Sequence, residues 1–393
     1  MDLSSLHELA EKNGVPLLLA ALGPGTSRFV GGAVRDTLLG LPVQDLDLAT
    51  TLSPYEVMRR CGAAGIRTVP TGIAHGTVTA VSAGQTVEIT TLRADVATDG
   101  RWAEVAFTDD WRADAERRDF TMNALYFDPP SGELFDFFGG REDLTAGKVR
   151  FIGDPLRRIA EDHLRILRFF RFHARFGGGE LDRSGLAACI ARANDLMALS
   201  RERIADELLK LLALPDPGAT VTVMVGEDVL RPVLPEIAPA ALPRLNRLIE
   251  AERQAAVPPA GLRRLSALLP PEPLLAEKVA ARLKLSNKAR KRLAIAADQD
   301  LDGSPRALAY WIGPEGAADR LLLAGRIEDS AGVAKWTPPK LPIAGGALIK
   351  RGLAPGPTVA RTLQAIEGRW VAEGFPNGER LETIVADALA GGL

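Results

Sequence analysis

Cysteine and histidine are scarce in this chain, and each shortage excludes a class of chemistry. Only Cys61 and Cys189 occur among 393 residues, which leaves no disulfide framework and no cysteine-based zinc site. The histidines, His7, His75, His163 and His173, include no His-Asp pair and so no metal phosphohydrolase site. Nothing resembles a membrane span. The opening Met1-Asp-Leu-Ser-Ser-Leu-His-Glu-Leu-Ala-Glu11 carries acid where a signal peptide carries basic residues, so the expected location is cytoplasmic. A formal net charge of −2 gives no bulk attraction to nucleic acid, and any RNA binding must come from a local basic surface. No Gly-Lys-Ser/Thr ending follows Gly31-Gly32, so that turn is not a P-loop.

What remains is ordinary soluble material, 46% hydrophobic and 25% charged, in a length that suits two or three domains. Residues 28–150 mix short β-branched runs with glycine turns. Strands are expected at Arg28-Phe-Val30, Asp45-Leu-Asp-Leu48, Gly76-Thr-Val-Thr-Ala-Val81, Thr86-Val-Glu-Ile-Thr-Thr91 and Ala124-Leu-Tyr-Phe127. Val34 to Leu39 and Pro54 to Ala64 read as helices, the second capped by Ser53 with Pro54 at its first position. From about Gly153 strand signals fade and Leu, Ala, Arg and Glu recur at helical spacing. The proline-rich Leu269-Pro-Pro-Glu-Pro273 and Trp336-Thr-Pro-Pro-Lys-Leu-Pro342 read as turns or linkers between helical parts.

The most informative stretch joins Phe29-Val-Gly-Gly-Ala-Val-Arg-Asp36 to Asp45-Leu-Asp-Leu48. In a strand Asp45 and Asp47 share a face while Leu46 and Leu48 enter the core. Mg²⁺ takes hard oxygen ligands and shares them between carboxylates and substrate phosphates, so the pair reads as half of a metal-nucleotide site. Spacing alone equally describes a solvated Asp-x-Asp at a strand end. Glu88, alternating with Val87 and Ile89, is either a third carboxylate meeting the aspartates across a sheet or a solvated strand residue. Gly31 and Gly32 let backbone N–H groups approach phosphate at a helix start, with Arg35 one turn on. The alternative is a tight turn in which Arg35 pairs with Asp36.

Further motifs follow in order: Arg117-Arg-Asp-Phe-Thr-Met-Asn-Ala124, Asp136-Phe-Phe-Gly-Gly140 with Asp143, Glu161-Asp-His-Leu-Arg165, and Ser200-Arg-Glu-Arg-Ile204 with Glu207. With the glycine turn and paired aspartates, the chain resembles the class II tRNA nucleotidyltransferases and bacterial poly(A) polymerases of the polymerase-β superfamily, from about Arg28 to Leu212. The resemblance implies an α/β nucleotidyltransferase (polymerase-β-like) head domain followed by an all-α C-terminal region of neck, body and tail. Residues 1–150 would form the catalytic, metal-binding head, 151–213 a helical neck recognising the nucleotide base, and 214–393 a helical body and tail that bind tRNA.

It also implies roles. Asp45 and Asp47 would hold two Mg²⁺ ions, with Glu88 beside them as a catalytic carboxylate. Gly32, Arg35 and Arg118 would contact the nucleotide, and Asp119 would accept from a ribose 2′-hydroxyl; the alternative for Asp119 is a helix-entry salt bridge. Asn123 would fix the turn geometry. His75-Gly-Thr-Val matches the tRNA-type pattern and is equally a turn histidine. Ser200 to Arg203 with Glu207 would brace the nucleotide pocket, which simple helix capping also satisfies.

Residues 154–176 read as one amphipathic helix, with Ile159, Ile166, Leu167, Phe170 and Ala174 on one side and Asp162, Arg165, Arg168 and Arg171 over the other. Asp162 and Arg165, at i, i+3, ordinarily make a surface ion pair. By resemblance they template the incoming base. Cytosine and adenine both show an amino donor beside a ring-nitrogen acceptor, which suits a carboxylate and a guanidinium, whereas uracil and guanine leave each group unpaired, at about 1–3 kcal/mol apiece. Arg168 and Arg171 lie further along the helix and would also contact the nucleotide, Arg171 through phosphate because it drifts away from the base side. Phe172 either touches a base or packs beneath a neighbouring helix. Basic residues in 201–210 and 284–292 read as phosphate contacts or as a solvated helix face.

The expected activity is addition of CCA to a tRNA 3′ end without a nucleic-acid template, using CTP and ATP and releasing pyrophosphate by two-metal phosphoryl transfer. A poly(A) polymerase or an enzyme adding only CC or only A is the alternative within this chemistry. A long polar loop over residues 93–114 favours an enzyme that switches from CTP to ATP. A non-catalytic RNA-binding protein is the alternative of another class, and the carboxylate pair argues against it.

Overall fold

The structure is a computed structural model that describes residues 3–43, 45–99 and 102–391. The chain folds as two compact units, Met1–Ala198 and Leu199–Leu393. No helix among the described residues is long and apolar enough to cross a membrane.

The first unit opens with α1 (Ser4–Ala10) and α2 (Val15–Leu22), then β1 (Ser27–Val30), α3 (Gly32–Leu38), β2 (Leu46–Thr50) and α4 (Pro54–Ala63). Strands β3 (Arg67–Gly72), β4 (Thr77–Ser82) and β5 (Gln85–Thr91) follow. Next come β6 (Arg93–Asp99), β7 (Trp102–Phe107), α5 (Trp111–Glu116), β8 (Leu125–Asp128) and β9 (Glu133–Asp136). Helices α6 (Gly140–Thr145), α7 (Pro155–Glu161), α8 (Arg165–Phe176) and α9 (Arg183–Ala191) complete it.

Seven strands form one mixed sheet in the order β3-β4-β5-β2-β1-β8-β9, in which only β2 and β5 run parallel. Alternation decides what each face carries. Leu46, Leu48, Val87 and Ile89 are buried, and α2 packs on β4 while α4 packs on β3 and β4. The other face presents Val30, Ala49 and Tyr126, which cluster with Ala115 of α5, Leu92 and Ile152. Asp47 shares the parity of Ala49 and Glu88 the opposite parity to Val87, so both carboxylates stand on this second face. As expected, Ser53 caps α4, its hydroxyl accepting from the Glu56 N–H at 3.3 Å. Both cysteines are free and buried.

Three expectations need correction. The segment 93–114 is not a loop. It forms the antiparallel hairpin β6–β7, paired from Arg93↔Phe107 to Asp99↔Trp102, followed by α5; residues 100 and 101 lie outside the described residues. The two arms satisfy each other's backbone groups through their mutual pairing. Strand β3 was not expected either, because it is an exposed edge strand that tolerates Pro70 where no ladder partner is needed. Finally, the helix over 154–176 is two helices. Asp162 takes an extended conformation (φ −151°, ψ 106°) after α7, and α8 starts afresh at Arg165.

Beyond Pro155 every regular element among the described residues is helical. The second unit runs through α10 (Arg201–Leu212), α11 (Gly218–Gly226), α12 (Leu242–Gln254), α13 (Gly261–Leu268), α14 (Pro273–Arg282), α15 (Asn287–Ala297), α16 (Pro305–Ile312) and α17 (Pro314–Leu323), with further helices to Leu389. A buried ion network ties its middle: Glu252 accepts from Arg263 at 2.5 Å and Arg264 at 2.7 Å, and Asp319 accepts from Arg263 and Arg292, both at 2.7 Å. The expected proline turns fall where helices end, Leu269 to Glu272 after α13 and residues 336–342 ahead of the helix Gly345–Lys350.

Candidate active site

The parallel pairing of β2 with β5 sets Asp47 directly opposite Glu88. Asp45 lies just outside the strand, which begins at Leu46, yet it lines the same hollow as Asp47, Glu88 and Thr79. A second hollow on the other side of Asp47 and Glu88 is lined by Arg93, Arg117 and Arg118. The carboxylates thus stand between an acidic space and a cationic one. Burial pushes the Asp47 carboxyl up to about 6, and Glu88 and Asp45 add to the rise against the pull of Arg118 and Arg35. A half-buried carboxylate with two acidic neighbours is a place a cation neutralises. No set of three His, Cys, Asp or Glu side chains among the described residues converges to hold a metal unaided. The donor set therefore suits a hard cation that takes its remaining ligands from water or phosphate, as Mg²⁺ does.

Gly31 supports the cationic side. Its φ of 65° turns the chain from β1 into α3 in a conformation that favours glycine, and a Cβ there would lie 3.4 Å from Arg118 Nη1. Gly32 follows as the first residue of α3. Arg118 is held from behind, its Nε donating to Tyr126 Oη at 3.0 Å and its Nη2 to Asp114 Oδ2 at 3.1 Å. Tyr126 Oη donates to the same Oδ2 at 2.7 Å. Asp114 Oδ1 accepts from Arg117 Nε and Nη2 at 2.9 and 2.7 Å, and from the Arg93 N–H at 3.1 Å.

Asp119 and Arg35 are more heavily committed than their motifs suggest. Asp119 Oδ2 accepts from Arg168 Nε and Nη2 at 2.8 and 2.5 Å, and Oδ1 from Asn123 Nδ2 and the Phe120 N–H, both at 2.9 Å. Burial alone would raise this carboxyl, but Arg168, Asn123 and the Phe120 N–H together hold it below its ordinary range. Its four lone-pair positions are filled. Arg35 is buried, donating to Asp36 Oδ1 at 2.8 Å and Asn123 Oδ1 at 2.5 Å, with its guanidinium 4.3 Å from the Phe176 ring centre. Asp36 in turn takes Arg175 of α8 at 3.3 Å. One connected network therefore joins α3, the Asp119 turn and α8. Asn123 is its central link and more than a turn residue.

The break before α8 changes the geometry of Asp162 and Arg165. Asp162 Oδ1 accepts from the Leu164 N–H at 3.1 Å and its carbonyl from the Arg165 N–H at 3.0 Å, starting the new helix. Arg165 donates to Glu161 at 2.7 Å and to the Arg158 and Arg117 carbonyls, both at 2.9 Å. Its anchor is thus Glu161, one residue before the aspartate expected from helical spacing. Arg171 stacks on Phe172 at 4.8 Å. Phe172 itself is buried against Phe120, ring centres 5.2 Å apart, and so takes the packing role.

Elsewhere, His75 is exposed and ends a short turn before β4. In the second unit Ser200 caps α10 through the Arg203 N–H, and Glu207 is buried on that helix. Of the basic run, Arg292 is consumed by Asp319 and Glu315, Lys284 pairs with Glu202 at 2.9 Å, and Lys288, Arg290 and Lys291 are exposed. The residues that sequence reasoning missed are Asp114 and Tyr126. Asp114 stands three and four positions before Arg117 and Arg118 on one helical turn, a spacing that signals pairing; Tyr126 had no local signal.

A mixed sheet with paired carboxylates beside a glycine turn and an arginine cluster defines a nucleotidyltransferase. Comparison with known proteins sharpens this. Residues 27–150 match the model described as the poly A polymerase head domain, and 180–241 the model described as a probable RNA and SrmB-binding site of polymerase A. The chain is 36% identical over 369 residues to the mitochondrial CCA tRNA nucleotidyltransferase 1 of Mus musculus, covering 88% of this chain and 83% of that protein. It is 32% identical over 391 residues to the CCA-adding enzyme of Lacticaseibacillus paracasei, covering 93% of each. The crystal structure of the Bacillus stearothermophilus CCA-adding enzyme in complex with CTP superimposes with a TM-score of 0.71 at 29% identity over 93% of both chains. The chain belongs to the family of CCA-adding tRNA nucleotidyltransferases.

Proposed function

We propose that this nucleotidyltransferase adds C, C and A in turn to the 3′ end of tRNA from CTP and ATP, without a nucleic-acid template and with release of pyrophosphate. The observation that carries the reading is the placement of Asp45, Asp47 and Glu88 beside Arg118 and Gly31, in a chain 36% identical over most of its length to an enzyme named for that activity. Phosphoryl transfer needs an oriented nucleophile and neutralised phosphates, and the site offers acid for the first and arginine for the second.

Asp45 and Asp47 would hold Mg²⁺, which when bound supplies activation of the 3′-hydroxyl and neutralisation of the triphosphate in two-metal fashion. Glu88 adds negative charge beside them. The Gly32 backbone and Arg118 receive the triphosphate from the cationic side. Arg35 supports that side from beneath, through Asn123. Asp119 reads the ribose 2′-hydroxyl when Arg168 yields one of its hydrogen bonds to the incoming nucleotide, and Arg171 meets phosphate. Asp162 and Arg165 read the base edge, with Glu161 orienting Arg165. In this reading residues 1–150 are the head, 151–213 the neck, and 214–393 a body and tail that hold tRNA, and the enzyme works in the cytoplasm.

The test is incubation with Mg²⁺ and tRNAs ending before, within and after CCA, each nucleotide supplied alone and together, with sequencing of the products. Addition that stops at CCA is expected. Long adenosine tails would make the chain a poly(A) polymerase, arrest at CC or a lone A would make it a partial enzyme, and binding without addition would make it an RNA-binding protein.

A further inference from the structure

We infer that Asp114 and Tyr126 are positioning residues that aim Arg118 at the nucleotide, an inference that rests on the proposed contact of Arg118 with substrate. A guanidinium on a long side chain has many rotamers, and fixing it in advance lowers the cost of using it. Here the fixing groups are rigid. Asp114 has a side chain 1% exposed, and Tyr126 is fully buried on β8.

The three groups close a triangle. Tyr126 Oη accepts from Arg118 Nε and donates to Asp114 Oδ2, which also accepts from Arg118 Nη2. This engages one edge of the guanidinium and leaves the remaining nitrogen, Nη1, beside Gly31 and the hollow that holds Asp47 and Glu88. Neutral acceptors alone would leave the guanidinium without a counter-charge, and Asp114 supplies it. The tyrosine hydroxyl does what a second carboxylate would do without adding charge next to Asp47. The other oxygen of Asp114 secures Arg117 and the N–H of Arg93, the first residue of β6. One carboxylate thus sets both arginines and the root of the hairpin, though neither it nor the phenol lines the hollow.

The test is a double-mutant cycle in the full chain. CTP and ATP kinetics would be measured for wild type, Tyr126→Phe, Arg118→Ala and the double variant, with thermal midpoints alongside. Tyr126→Phe keeps the ring and removes the hydroxyl, and its KM should rise about tenfold with kcat within about twofold. In the Arg118→Ala background the same change should alter KM by less than about twofold, because the hydroxyl acts through an arginine no longer there. An equal rise in both backgrounds, or a lowered midpoint with KM unchanged, would overturn the positioning role. If Tyr126→Phe does not fold, Asp114→Asn takes its place in the same cycle. Failure of the wild-type chain to add nucleotides would overturn the proposed function and this inference with it, whereas normal wild-type addition with flat KM overturns only the inference.

Discussion

Asp47 of β2 and Glu88 of β5 face each other in parallel register, with 40 residues of intervening chain brought back by a crossover through α4, β3 and β4. Two carboxylates so placed, one of them partly buried, repel each other unless a cation stands between or beside them. Their coexistence costs stability that binding recovers.

Glu88→Gln should therefore stabilise the metal-free protein while impairing it as an enzyme. The exposure of Glu88 limits the gain to about 0.5 kcal/mol, read as a higher urea midpoint in EDTA. Nucleotide addition should fall about tenfold or more, and Asp45→Ala should abolish it with RNA binding retained. A destabilised Glu88→Gln with full activity would remove both carboxylate arguments.

The filled valences of Asp119 lead to a second prediction. Arg168→Ala leaves a buried carboxylate with two donors in place of four, a loss of about 2 kcal/mol in unfolding free energy. Asp119→Asn keeps the volume but gives up the anion, and should raise the use of dCTP relative to CTP by about tenfold if the carboxylate reads the 2′-hydroxyl. An unchanged ratio with lowered stability would leave Asp119 only the task of holding Arg168.

These two sites differ in how far the residues announced them. The inward Val87 and Ile89 with Glu88 between them followed from period-two alternation, and the Ser53 cap of α4 from its own side chain. The opposition of Asp47 to Glu88 is set by a crossover and register that no local pattern encodes. Likewise Arg35 meets Asn123 from 88 residues away, and Tyr126 of β8 reaches Asp114 of α5 only through the tertiary fold. The break at Asp162 was hidden because apolar residues continue at helical spacing on both sides of it. Hairpin β6–β7 was hidden for the opposite reason, since mutual pairing holds it without a clear apolar stripe.

Base choice supplies the third prediction. Asp162→Ala should raise misaddition of UTP and GTP relative to CTP and ATP by about tenfold, since a carboxylate that penalises a facing carbonyl is gone. Glu161→Gln should act in the same direction but more weakly, because it loosens Arg165 without removing it. The measurement is the kcat/KM ratio for each nucleotide on a tRNA awaiting C and on one awaiting A. Unchanged ratios in both variants would dismiss the pair as a template.

The acid limb of stability supplies the fourth. Burial by itself would raise the Asp114 carboxyl, but Arg118, Arg117 and the Tyr126 hydroxyl outweigh it and bring it down to about 2 from an ordinary 3.8. A folded-state value below the unfolded one means that the unfolded chain takes up the proton first, so the stabilisation is fully present above about pH 4 and drains away as the pH falls through about 2. That lowering corresponds to about 2 kcal/mol. Asp114→Asn cannot titrate there, so the gap in unfolding free energy between wild type and variant should narrow by about 2 kcal/mol between pH 5 and the acid limit, read from urea unfolding at stepped pH. A gap that stays constant would mean that the carboxylate is not held ionised by the two arginines, and the charge pairing that fixes Arg118 would go with it.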